Sequence, residues 1–213
     1  MRLYRVIPYD ASAAPTQRGG VLFVPAGGSN RIDNPDLFDV LYLAGTPEAA
    51  MAETFGRIPL WTPETFVHGS GRRYALTTIE APDSIALFAL DDVDALKSIG
   101  ITKPRSVVMR DRGKTQALAR AIFEKGRYAG ASWWSYYGPD LTVMGRWDRD
   151  GVSAIETPEN LTVVSAVVKA ASDAIVRQIV RTKSAAPAAN QTRCGTLGRC
   201  VAPTPPRFEM PKR

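Results

Sequence analysis

The order of apolar patterns along the chain predicts an α+β fold rather than a doubly wound sheet. Strand-like segments are interspersed with short helices, and the two never alternate regularly as repeated βαβ units would require. The composition is that of a globular protein: 213 residues with 45% hydrophobic and 23% charged content are enough for one domain with a full core. No run approaches the ~18 apolar residues of a membrane span. Met1 to Pro8 lacks the apolar core of a signal peptide, so a cytoplasmic protein with no membrane contact is expected.

Arg2 to Pro8 alternates as a strand does. The Ala, Pro and Gly-rich stretch after it reads as a loop to Ala26, with an apolar insert from Val21 to Pro25. Leu37 to Ala44 reads as a buried strand. Thr46-Pro47-Glu48 then opens a helix: Thr46 is the N-cap, Pro47 takes the first helical position and Glu48 complements the dipole. That helix is expected to stop near Gly56. Residues 57 to 71, with two prolines, Trp61, Phe66 and the lone histidine His68, read as an irregular excursion, with His68 structural or solvated rather than catalytic. Arg73 to Glu80 and Ile85 to Leu90 are strand-like, and Asp91 to Ile99 is a short helix capped by Asp91 or Asp92.

Ser106 to Met109 is strand-like, and Thr115 to Lys125 is an amphipathic helix with Thr115 as its expected N-cap. The intervening Arg112-Gly113-Lys114-Thr115 imitates the end of a phosphate-binding P-loop. That motif needs a glycine at position 108, which is Val, so the plain helix start is preferred. Gly27-Gly28 is likewise no dinucleotide fingerprint of the open-sheet type, because a third glycine and a following helix are missing. Tyr128, Trp133, Trp134, Tyr136 and Tyr137 surround Ser135, suiting a core or the floor of a pocket for flat rings. Leu141 to Met144 reads as a closing strand and Leu161 to Val180 as a helix that completes the domain.

From residue 183 the chain is rich in Pro and Ala and is expected to be disordered. Six basic residues there face one acid, Glu209, so this tail carries +5 of the +6 net charge and the domain before it is nearly neutral. That location weakens a nucleic-acid reading of the charge. Both cysteines, Cys194 and Cys200, also lie in the tail. With His68 far away they lack the further ligands of a zinc site, so no metal is assigned, and two incidental cytosolic thiols are preferred over a reversible disulfide between them.

The chemistry concentrates in a spaced trio, Arg31, Tyr42 and Glu53. An arginine fork can hold a pyrophosphate bidentately, a tyrosine face can pack on a cationic nicotinamide ring, and a carboxylate can stabilise the oxocarbenium-like centre left when that ring departs. Each alone is equally at home as a loop cation, a strand aromatic or a helix carboxylate. The combination carries the reading.

These residues and their flanks resemble the RES domain, named for Arg, Glu and Ser, of bacterial NAD-degrading toxins. Leu3-Tyr4-Arg5-Val6 is similar to the family's first strand, Arg31-Ile32-Asp33-Asn34-Pro35 to its arginine motif, and Val40 to Ala44 with Pro47 to Glu53 to the strand and helix bearing its Tyr and Glu. Gly130-Ala131-Ser132-Trp133-Trp134-Ser135 has the family's Gly-to-Ser spacing. The resemblance runs over residues 3 to about 150 and thins from 151 to 182. Two departures bear on substrate fit: Ser29 and Asn30 separate the glycine pair from Arg31, which Ile32 rather than a large aromatic follows, and the Trp133-Trp134 pair is unusually bulky.

The resemblance implies a split-sheet fold similar to ADP-ribosyltransferases with flanking helices over residues 1–182, binding NAD as substrate without a metal. It implies cleavage of the nicotinamide-ribose bond, with ADP-ribose passed to water, phosphate or a protein acceptor. Arg31 would hold the pyrophosphate with Arg5 as a second phosphate contact, Tyr42 would pack on the nicotinamide end, Glu53 would stabilise the ribosyl cation, and Ser135 would orient the ligand. A helix-turn-helix antitoxin that blocks the cleft is the implied partner, in a complex of several chains. The opposing expectation is a catalytically silent nucleotide- or partner-binding module whose basic tail contacts nucleic acid.

Overall fold

The computed structural model describes residues 1–84, 86–102 and 111–181. Among them the strands are β1 (Arg2–Pro8), β2 (Leu41–Ala44), β3 (Leu60–Trp61), β4 (Tyr74–Glu80), β5 (Leu87–Ala89), β6 (Gly130–Ser135), β7 (Gly138–Arg146), β8 (Ser153–Ala154), β9 (Glu159–Asn160) and β10 (Gln178–Ile179). The helices are α1 (Pro47–Phe55), α2 (Val93–Ser98), α3 (Arg112–Phe123) and α4 (Ala166–Ala174), with a 3₁₀ turn at Pro63–Phe66. The fold is α+β, as the sequence predicts.

The main sheet runs β5-β6-β7-β2-β1-β4-β8, with β9 also added to β4. Only the β5–β6 pair within it is parallel; a separate parallel ribbon joins β3 to β10. The central strand β1 pairs with β4 along its whole length, from Arg2 opposite Glu80 to Pro8 opposite Tyr74. Alternation sends Tyr4 and Val6 of β1 toward α1 and α4, where Ala49, Met51, Ala52 and Phe55 pack with Trp61, Phe66, Val168 and Ala171. Leu3 leaves the other face, against Leu41, Leu43, Ile79 and Met144. A third cluster joins Ala119 and Ile122 of α3 to Phe88, Leu90, Leu96, Ile32 and Val40.

The start of α1 is as expected, with the Ala49 N–H donating to Thr46 Oγ1 at 3.1 Å and Pro47 at the first position. Its end at Gly56 is set by close approach rather than by a left-handed turn. The φ there is an ordinary −61°, and a Cβ would run into the Tyr137 ring. Asp92 caps α2 by accepting from the Asp94 and Ala95 N–H groups.

Four expectations change. The strand expected over 37–44 is regular only from Leu41, because Leu37 and Phe38 both donate their N–H to Asn34 O and close a turn. The N-cap of α3 is Asp111, not Thr115: Asp111 Oδ1 accepts from the Lys114 N–H at 3.2 Å, while Thr115 is buried within the helix and donates its hydroxyl to Arg112 O. The helix expected over 161–180 is confined to Ala166–Ala174. Two residues past its end Val176 has a φ of 53°, which a continuing helix cannot hold, and the chain then forms β10. The excursion at 57–71 contains β3 and the 3₁₀ turn. The strand expected at Ser106 to Met109 and the tail from 183, with Cys194 and Cys200, lie outside the described residues.

Candidate active site

The site is assembled by α1, by the end of β6, and by the loop before β2. On α1 the side chains that face the sheet are mostly alanines, so the helix sits close to it and holds Glu53 on the outward side near the strand ends. The β6–β7 ladder shifts register between Trp134 and Ser135, an irregularity of the kind that re-aims a side chain. There the Ser135 hydroxyl donates to Glu53 Oε1 at 2.6 Å and accepts from the Tyr137 N–H at 3.2 Å. Ser135 is buried while Glu53 is exposed, so the serine fixes one carboxylate oxygen from below.

Trp133, two residues earlier on the same face of β6, connects this pair to the other two predicted residues. Its ring stands edge-on to Tyr42 at 6.4 Å between centroids, and the Arg31 guanidinium lies 5.9 Å from its centroid. The Arg31 loop can approach the sheet because Gly145 of β7 has no side chain: a Cβ there would run into Ile32 and Val40.

Asp33 ties this loop together. Its Oδ1 accepts from the Tyr42 hydroxyl at 2.6 Å, and its Oδ2 accepts from the N–H groups of Gly28 at 2.8 Å and Asn30 at 2.9 Å. From the other side, Gln116 of α3 donates to Gly28 O and to Asn30 O, each at 2.9 Å. The turn at residues 28–30 that leads into Arg31 is thus pinned twice, through its N–H groups by Asp33 and through its carbonyls by Gln116.

The electrostatics follow from this geometry. Burial lowers the Arg31 pKa, the neighbouring Arg112 lowers it further, and Glu53 and Tyr42 act against both. The Tyr42 phenol is pushed well up, first by burial and then by its bond to Asp33, so it stays neutral. Burial would raise the Asp33 carboxyl, but the bonds from Tyr42, Gly28 and Asn30 outweigh it and hold it below its ordinary value.

The structure therefore brings Arg31, Tyr42, Glu53 and Ser135 to one region, and Arg5 meets only its Tyr42 edge. Arg5 leaves β1 on the face opposite Tyr4 and Val6, and its guanidinium donates to Val21 O at 3.1 Å. Burial lowers its pKa to about 10. Arg5 lines a pocket of about 80 Å³ with Asn30, Asp33 and Tyr42, a space for a few waters rather than for a dinucleotide. His68 has the structural role expected, with Nδ1 2.9 Å from Ser70 Oγ and its ring edge-on to Tyr74. Among the described residues no group of three or more His, Cys, Asp or Glu side chains is placed to hold a metal ion, and no helix is long and apolar enough to cross a membrane.

Sequence reasoning does not single out Asp33, Arg112 or Gln116 as parts of the site, whereas Trp133 belongs to the aromatic cluster read as a core or a pocket floor. Asp33 lies inside the arginine motif, but nothing in the spacing says that its carboxylate meets Tyr42. In the sequence Arg112 stands out only as part of an imperfect P-loop.

The RES domain matches residues 2–156 of the chain. No curated protein matches it. Among solved structures, the crystal structure of the M. tuberculosis MbcT-MbcA toxin-antitoxin complex contains a chain with 20% sequence identity and a TM-score of 0.48, the alignment covering 76% of this chain and 84% of that one.

Proposed function

The chain belongs to the RES domain family, and from that premise we propose that it cleaves NAD at the bond between nicotinamide and ribose. The observation that carries this reading is the 2.6 Å bond by which Ser135 holds Glu53. It joins a carboxylate and a hydroxyl from distant parts of the chain, beside an arginine and two rings. In the reaction the bond from ribose C1′ to the nicotinamide nitrogen breaks with its electron pair going to nicotinamide, which leaves neutral. Glu53, fixed through one oxygen by Ser135, stabilises the positive charge that develops on the ribose with the other. Tyr42 and Trp133 pack against the departing ring, whose pyridinium form is drawn to their faces. Arg31 holds the pyrophosphate and so fixes C1′ against the carboxylate. Arg5 has a structural role beneath the loop. An acceptor oxygen from water, phosphate or a protein side chain then bonds to C1′ and releases its proton.

The partner in this reading is a DNA-binding helix-turn-helix antitoxin that covers the cleft, and the chain is the toxin of the pair. The family supports this assignment.

The test is nicotinamide release from NAD by the purified full chain, with and without phosphate, beside Arg31→Ala and Glu53→Gln. Glu53→Gln is expected to lose about 10²–10³ in turnover, the cost of removing one preorganised electrostatic contact, with thermal unfolding unchanged. Phosphate dependence of the release identifies phosphate as the acceptor. A folded wild-type chain that releases no nicotinamide leaves a silent binding module instead.

A further inference from the structure

Arg31 is not the only cation that the fold places against this cleft. The inner stripe of α3 is formed by positions 112, 115, 116, 119 and 122, spaced three and four apart. Thr115, Ala119 and Ile122 on it are buried and line one hollow with Arg31 and Ile32. Gln116 on it grips the carbonyls on either side of Ser29, each at 2.9 Å, and Asn34 returns a bond to Gln116 O at 3.0 Å. The first turn of α3 is therefore fastened to the Arg31 loop, and Arg112, one turn before Gln116 on the same stripe, is carried with it. The remaining cation of that turn, Lys114, is turned to the N-cap, 3.2 Å from Asp111. Arg112 is exposed, so its guanidinium can meet a ligand from solvent.

We propose that Arg112 is a second pyrophosphate-binding residue, and that it and Arg31 form a two-cation clamp for the phosphates of a dinucleotide. This rests on the reading of the cleft as an NAD site. Neighbouring cations repel one another, and the exposed Arg112 acts to lower the pKa of the partly buried Arg31. The diphosphate of a dinucleotide bears one negative charge on each of two adjacent phosphates, so each guanidinium can pair with its own phosphate and the repulsion is relieved. Ile32, next to Arg31, packs its aliphatic side chain against α3 and over Gly145, and this contact keeps the helix close enough to supply the second charge.

The test is binding of ADP-ribose to the full chain by calorimetry, in wild type, Arg112→Gln and Arg112→Lys, with adenosine as the ligand that lacks phosphate. Arg112→Gln is expected to weaken ADP-ribose by about tenfold, the scale of one charge-assisted contact. Arg112→Lys should recover part of that loss, and adenosine should bind all three alike. An Arg112→Gln protein that binds ADP-ribose as wild type does, an equal loss for adenosine, or a wild type that does not bind ADP-ribose would each overturn the clamp. Nicotinamide release is read separately. A chain that binds ADP-ribose through Arg112 yet releases no nicotinamide sinks the proposed cleavage and keeps the clamp.

Discussion

The residue with the most connections in the site is Asp33, which nothing in its sequence context sets apart. It accepts from Tyr42 and from two backbone N–H groups while nearly all of its surface is buried. Losing any partner of such a group leaves buried polar atoms unsatisfied, which costs about 1–3 kcal/mol. The direction of its pKa gives a sign to the pH dependence. Because folding depresses the carboxyl below its ordinary 3.8, the stability it contributes is fully present above that value and is lost as pH falls through the folded pKa. Thermal unfolding between pH 2 and 7 should therefore show a drop on the acid side that is shallower in Asp33→Asn. Identical acid limbs in the two proteins would mean that Asp33 is not held in this way.

Among the elements, α1 carries Glu53, and its termini are fixed by different means. Thr46 and Pro47 set the start locally. The end is set by contact, since Tyr137 packs where a side chain at Gly56 would be, and Arg177 donates to Gly56 O from Nε at 2.9 Å and from Nη2 at 2.6 Å. Arg177 also lies 5.9 Å from the Tyr137 ring centroid. One knot thus joins the end of α1, the β6–β7 turn that follows Ser135, and the segment leading into β10. Gly56→Ala overpacks it and is expected to cost about 1–3 kcal/mol, read as a lowered unfolding midpoint. Because the same knot sets Glu53 relative to Ser135, turnover at a temperature where the variant is folded should fall as well. Unchanged stability would show that Tyr137 can move aside without loss.

For the whole molecule, the described contacts that build the sheet and the site all lie within residues 1–181. The tail from 183 carries most of the net charge. Deletion of residues 183–213 should leave nicotinamide release close to that of the full chain, since Arg31, Tyr42, Glu53 and Ser135 all lie outside the deleted segment. Loss of release on deletion would assign the tail a part in the site, and loss of nucleic-acid retention alone would fit the binding-module reading.

Local chemistry in the sequence determined the α+β class, strand β1, the start of α1 and the cap of α2, because caps, prolines and period-two alternation act over a few residues and leave their mark in the residues themselves. It also determined which residue types could perform the chemistry, since an arginine, an aromatic and a carboxylate are named by their functional groups. Where elements stop was decided by the tertiary structure: Leu161 to Val180 has helical spacing throughout, yet Val176 turns out of the helix and residues 178–179 pair with β3. So was the membership of the site. Asp33 and Tyr42 are nine positions apart, Gln116 and Gly28 eighty-eight, Ser135 and Glu53 eighty-two. A hydrogen bond depends on separation in space, and only the packing of α1 and α3 against the sheet fixes those separations.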